Sequence, residues 1–302
     1  DSKNIKVIDV TTSGNLWGGV SVQTAGDSYA GGVENVEFTG TFDVSESIPL
    51  LLEKDPPKYW DITNISVPEK LDYIVYTLRS DNYKQWIYVE TLEKVWQFAN
   101  GLMNLPSNPY SYSDILIYDI AEKNYWVIPG MSIQDAVNAA TDGDTIYVAS
   151  GTYNEAIHIN KSLTLKALEN STPIINGGID LQVNNITIDG FEIKNGTALS
   201  HGEKAGIYIF GGPSVGTSGH KIINNTLTGG NNSNTGLPGI MFGMNTKDIS
   251  IEGNTINGWK QGLYINPSSN LEIKNNTFSN NLVGIGSDGL NNVNISKNTF
   301  TG

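Results

Sequence analysis

The groups able to do chemistry in this 302-residue chain are the carboxylates, histidines and aromatic rings of residues 128–302. Inverting hydrolysis of a glycosidic bond needs two carboxyl groups roughly 6.5–9.5 Å apart on one face. The candidates are Asp180, Asp189, Glu192, Glu203, Asp248, Glu252, Glu272 and Asp288. Glu252 and Glu272 fall on neighbouring repeats but in different registers. His201, Glu203 and Lys204 share one long loop and are the best catalytic candidates. Elimination chemistry needs a strong base instead. The nine Lys of this stretch are scattered at turn-like positions, and its sequence holds no Arg, since Arg79 is the only one in the chain. His158, His201 and His220 lack the spacing of a metal cluster, and there is no Cys, so neither a metal nor another cofactor is expected.

A file of outward residues offers a binding surface. Tyr208, Met241, Tyr264 and Gly286 alternate with inward Ile207/Ile209, Ile240/Phe242 and Leu263/Ile265, and longer loops at about 196–205, 211–218 and 229–238 fall beside them. Tyr208 and Tyr264, with Met241 between and Trp259 close in sequence, are expected to stack on sugar rings. A second outward array pairs Thr226/Thr228, Thr255/Asn257, Thr277/Ser279 and Thr299/Thr301, a flat grid of the kind that binds ice.

What must position these groups is a repeat. Aligning Ile188, Ile222, Ile251, Ile273 and Ile295 gives spacings of 34, 29, 22 and 22 residues. Three residues after each anchor come Phe191, Asn225, Asn254, Asn276 and Asn298, and five after come Ile193, Leu227, Ile256, Phe278 and Phe300. A fixed period of about 22 residues predicts a right-handed parallel β-helix, with equivalent side chains about 4.8 Å apart along the axis. Asn225, Asn254, Asn276 and Asn298 are then a structural ladder whose amides bond from coil to coil. Ahead of the repeat, Ser132 is a helix N-cap, with Ile133, Ala136, Val137 and Ala140 on one face of a short helix laid across the first coil.

The segments Ser132-Ile133-Gln134-Asp135-Ala136, Gly143-Asp144-Thr145-Ile146-Tyr147-Val148, Gly151-Thr152-Tyr153 and Ile186-Thr187-Ile188-Asp189-Gly190-Phe191, with the Asn-Asn-Thr-Phe repeats, carry a resemblance. Residues 128–302 resemble the pectin-lyase-like β-helix superfamily, in its parallel β-helix repeat group typified by the NosD proteins. The resemblance implies a fold and leaves function open, because the superfamily includes lyases, hydrolases, epimerases, adhesins and surface-layer proteins. The Gly-His-Gly and Arg-x-Lys signatures of its polygalacturonases and the Asp-Pro-His-Asp of its alginate epimerases are missing here; His220 follows Gly219 but precedes Lys221.

Residues 1–127 follow other rules. Alternating stretches at 5–10, 19–24, 33–44, 60–66, 71–78, 85–91 and 115–120 predict strands, 91–102 a short helix, and the whole a β-sandwich-like module of unknown family. The Trp of this half (Trp17, Trp60, Trp86, Trp96 and Trp126) are expected in cores. A net charge of −13 argues against a nucleic-acid partner, and no apolar run reaches the 18 residues of a membrane span. The composition is rich in Asn, Gly, Ser and Thr and only 16% charged, as in secreted all-β proteins. Asn-x-Ser/Thr triplets start at Asn64, Asn170, Asn185, Asn195, Asn224, Asn231, Asn275 and Asn294, as an Asn-rich repeat would generate by chance.

Together these features predict an extracellular or cell-surface, non-enzymatic protein of adhesin, surface-layer or glycan-binding type, with a polysaccharide or cell-wall glycan as partner. A polysaccharide lyase or glycoside hydrolase working in the same groove is the alternative, and ice binding a third. The chain is expected to be trimmed at its start and to end without a cap, so self-association through an open β-helix end is a further expectation.

Overall fold

The computed structural model describes residues 2–14, 20–23, 33–44, 50–54, 62–66, 73–78, 84–89, 115–119, 124–198, 202–230 and 236–302. They form two compact units, Asp1–Asn124 and Tyr125–Gly302.

The second unit is a right-handed parallel β-helix in which each coil adds one strand to each of three faces. The first face stacks Thr145–Val148, Thr164–Ala167, Thr187–Asp189, Lys221–Ile223, Lys247–Glu252, Ser268–Lys274 and Leu290–Ser296. The second runs from Gly151–Tyr153 to Thr299–Thr301, and the third from Ile157–Ile159 to Val283–Ser287. Ile188, Ile222, Ile251, Ile273 and Ile295 stand in one column, each paired with the next. Ile193, Leu227, Ile256, Phe278 and Phe300 form a second, ending in a parallel ring stack of Phe278 on Phe300 at 4.9 Å. Burying one such side chain is worth about 1.5–3 kcal/mol.

The corners explain the composition. Backbone with positive φ recurs at Asn185, Gly219, Asp248, Asn270 and Asn292, and again at Gly190, Asn224, Gly253, Asn275 and Lys297. Gly, Asn and Asp tolerate that conformation best, so the coil geometry selects them. At the next position the polar ladder forms. The backbone N–H of Asn225 donates to Asn254 Oδ1, that of Asn254 to Asn276 Oδ1 and that of Asn276 to Asn298 Oδ1, each at 2.9 Å. The amide nitrogens also donate backwards, to the carbonyls of Ile188, Ile222, Ile251 and Ile273, at 2.7–3.0 Å. Phe191, which cannot accept, starts the ladder with its N–H on Asn225 Oδ1.

The helix Ile133–Ala139 lies against the first coil, with Ile133, Ala136 and Val137 buried and Ser132 as N-cap. One coil residue clamps each end. Glu155 accepts from Ser132 Oγ and from the N–H groups of Ile133 and Gln134, and Lys161 Nζ donates to the carbonyls of Val137 and Asn138. An anion at the positive end and a cation at the negative end complement the helix dipole.

In the first unit the strands are those expected, with Leu50–Lys54 in addition, but their pairing differs from the hairpins of an antiparallel sandwich. Ser2–Thr12, Val33–Val44 and Ile62–Ser66 pair parallel in one sheet, while Val20–Gln23, Leu50–Lys54 and Tyr73–Leu78 pair parallel in another. Lys84–Val89 then runs antiparallel to Tyr73–Leu78. Alternation in sequence marks a strand but says nothing of its direction. Parallel partners need long connections, and here each connection holds the strand of the opposite sheet. Asn4 and Asn35 both have positive φ and are joined by a 2.9 Å bond between their side chains, the same corner device as in the β-helix. The expected helix at 91–102 and Trp17, Trp60 and Trp96 lie outside the described residues, as does the side chain of Trp86; Trp126 is buried.

His220 interrupts an inward file of aliphatic residues that includes Ile186, Ile249 and Leu271. Its Nδ1 accepts from the Ile186 N–H at 3.3 Å, and its Nε2 has no partner among the described residues. Burial pushes its pKa down from 6.5 to about 4. The unfolded chain therefore binds this proton more readily than the folded one, and stability is lost as pH falls from 6.5 towards 4. Replacing His220 by Leu should remove about 3 kcal/mol of that acid destabilisation, read from urea unfolding at pH 7 and pH 4. An Asn254→Ala change strands the Asn225 N–H and the Ile222 carbonyl. It should lower unfolding free energy by about 3 kcal/mol, and a loss under about 1 kcal/mol would show that the ladder is not a main support.

Candidate functional site

The third face carries a single outward file. Strand pairing sets His158 beside Asp180, Asp180 beside Tyr208, Tyr208 beside Met241, Met241 beside Tyr264 and Tyr264 beside Gly286. Aliphatic residues on either side point inward, so each middle residue of the triplets Ile157–Ile159, Ile179–Leu181 and Ile207–Ile209 must face out.

Outward does not mean exposed. The long loop returns as an antiparallel pair, Thr197–Ala198 with Lys204–Ala205, and Tyr208 is only 4% exposed, packed with Ala205 and flanked by Ala156, Phe210 and Met241. Burial raises the Tyr208 pKa, the Glu203 carboxylate adds to this, a hydrogen bond from the Gly211 backbone opposes it, and Asp180 contributes last. Tyr264 stays partly open. Its hydroxyl donates to Asp288 Oδ2 at 2.6 Å, and that bond is the main cause of its raised pKa, with smaller contributions from burial and from the charges of Asp288 and Glu203. Glu203 thus acts on both tyrosines. Lys204, next to buried Ala205 on a strand, is exposed and turned the other way. His201 lies outside the described residues.

Trp259 corrects the expectation that it lines the face. It is 2% exposed and sits inside the β-helix, its ring nitrogen donating to the Leu227 carbonyl at 3.1 Å. The indole occupies space left by missing side chains: a Cβ on Gly206 or Gly239 would come within 3.2 Å of it. The following coil has Asn281 at the equivalent place, accepting from the Trp259 N–H.

Asp180, named in sequence as a candidate carboxylate, and His158, weighed there only for metal spacing, prove to be members of the file. Asp180 has a fully buried side chain, and its Oδ2 accepts from Gln182 Nε2 at 2.9 Å and lies 3.3 Å from Nδ1 of His158, a ring about 40% exposed. For that contact to be a hydrogen bond, Nδ1 must carry the proton, which leaves Nε2 of the neutral ring as the acceptor. The signal was present, since Ile-His-Ile and Ile-Asp-Leu match Ile-Tyr-Ile of the next coil.

The other candidate carboxylates have surface partners. Glu252 and Glu272 share Lys274, Asp189 meets Lys166, Glu192 meets Lys194, and Asp248 accepts from Asn270. That leaves Asp180, Glu203 and Asp288 on or beside the third face. Among the described residues no group of three or more His, Asp or Glu could hold a metal ion. The Thr grid on the second face is in register, Thr226, Thr255, Thr277 and Thr299 in one column and Thr228, Asn257, Ser279 and Thr301 in the other. No helix among the described residues is long and apolar enough to cross a membrane.

Comparison with known proteins adds three findings. The profile of the family described as “Right handed beta helix region” matches residues 127–302. A cell surface glycoprotein of Methanothermus fervidus is 39% identical over 103 residues, which are 32% of this chain but 15% of that protein. Among solved structures, the pectate lyase Pel9A aligns at 15% identity and a TM-score of 0.37, covering 52% of this chain and 46% of that one. A putative glycosyl hydrolase from Parabacteroides merdae aligns at 16% and 0.37, covering 56% and 84%.

An Asp288→Ala change removes both the acceptor and the charge that favour the protonated phenol. The Tyr264 pKa should move down, seen in the ultraviolet titration of tyrosinate, while an unmoved midpoint would deny the Tyr264–Asp288 bond.

Proposed function

The chain belongs to the right-handed β-helix family, and from that premise we propose that it is an extracellular or cell-surface protein whose β-helix is a rigid support for a glycan-binding third face, with no chemistry done on the glycan. The observation that carries this reading is the outward file itself. Tyr264 and Met241 form a partly open apolar strip, and Tyr264, Asp288 and Glu203 offer hydrogen-bonding groups beside it. A flat apolar patch edged by acceptors suits a sugar ring, whose C–H face packs on an aromatic while its hydroxyls donate. The name of the Methanothermus fervidus relative, a cell surface glycoprotein, supports the location.

A second reading, a polysaccharide lyase or glycoside hydrolase, is favoured by one feature, the His158–Asp180 pair. Its ring nitrogen could accept a proton while the buried carboxylate holds the ring.

Glycan-array binding followed by a depolymerisation assay on the bound glycans separates the two. The expected outcome is binding without products, and about tenfold weaker binding by Tyr264→Ala, roughly 1.4 kcal/mol. Products that vanish in His158→Ala would establish the second reading, and unchanged binding by Tyr264→Ala would remove the third face from the first.

A further inference from the structure

We propose that, among the described sequons of the β-helix, Asn170 is the one open to asparagine-linked glycosylation, and that those at the β-helix corners are closed to the same chemistry. Six sequon asparagines of the β-helix are described, and exposure does not separate them, because Asn170, Asn185, Asn195, Asn224, Asn275 and Asn294 are all exposed. The occupation of the side-chain amide sets three of them apart. Asn195 Nδ2 donates to Asn176 Oδ1 at 2.8 Å, Asn224 Nδ2 to Asp189 Oδ1 at 3.0 Å and Asn275 Nδ2 to Glu252 Oε1 at 3.3 Å. Each of these nitrogens, the atom that would receive the sugar, bonds to a neighbouring coil.

The remaining three differ in their surroundings. Asn185 lies at a corner against the next coil, so closely that a Cβ on Gly219 would be 2.1 Å from its Oδ1. Asn294 is inside the strand Leu290–Ser296, paired with Glu272. Asn170 stands in a turn closed by the Ser171 N–H on the Leu168 carbonyl at 2.9 Å, with φ 58° and an exposed Thr172 as its sequon hydroxyl. Its amide donates to no acceptor among the described residues. A transferase must draw the acceptor out of its fold, and a turn outside the ladders yields most easily.

The reaction balances with a lipid-linked oligosaccharide (pyro)phosphate as donor. A bond forms between Asn170 Nδ2 and C1 of the first sugar, the C1–O bond to the lipid phosphate breaks, and the amide proton leaves with the phosphate. The test treats the folded full-length chain with a purified oligosaccharyltransferase and this donor, and maps each sequon by mass spectrometry. The same chain, heat-denatured, shows what the enzyme accepts without the fold. Occupancy of Asn170 in the folded chain at least tenfold above that of Asn195, Asn224 and Asn275 and above that of Asn185 and Asn294, levelling out on denaturation and absent in Asn170→Gln, is the expected result. An unmodified Asn170, or any of Asn185, Asn195, Asn224, Asn275 and Asn294 matching it in the folded chain, overturns the proposal.

Discussion

In-register stacking of parallel strands is the constraint on which everything in the β-helix depends. It makes the nearest neighbour of a side chain its own equivalent one coil away. An apolar position then tends to be apolar in every coil, His220 being an exception, and a polar inward position is best served by a partner in its own column. The asparagine ladder meets that second demand. The carboxamide has one accepting and one donating end, so Asn254 takes a bond from the coil before on its oxygen, while its nitrogen donates both back to the Ile222 carbonyl and on to Asn276 Oδ1 in the coil after. Neither Ser nor Asp offers both ends at that reach.

The same constraint settles where the protein can vary. Corners are held by residues with positive φ and by bonds between coils, so insertions go where no ladder runs. Here they collect beside the third face. One of them returns as a strand pair that buries Tyr208, and the same segment brings Glu203 near both tyrosines. Trp259 shows the opposite response. A large ring enters the core because glycines of neighbouring coils vacate the volume, and its N–H finds an acceptor in the Leu227 carbonyl.

The first unit extends the same logic in shorter form. Its first six strands, from Ser2–Thr12 to Tyr73–Leu78, alternate between two sheets and pair parallel within each, and Asn4 bonds Asn35 across one corner. Stacking of similar windings accounts for both observations in these six strands, while Lys84–Val89 adds an antiparallel partner.

By itself the sequence determined the β-helix, its register and its ladder, because a repeat writes each column several times over. The Ile and Asn columns, the capping helix and the outward direction of Tyr208, Met241 and Tyr264 were all legible for that reason. Only the tertiary structure decided what covers an outward residue and what partners a charge. Burial of Tyr208 and the inward position of Trp259 depend on inserted loops and on glycines of neighbouring coils, while the contact of His158 with Asp180 and the sharing of Lys274 by Glu252 and Glu272 depend on which rotamers the side chains of adjacent coils adopt. Strand direction in the first unit was hidden as well, since alternation of polar and apolar residues is the same for parallel and antiparallel neighbours.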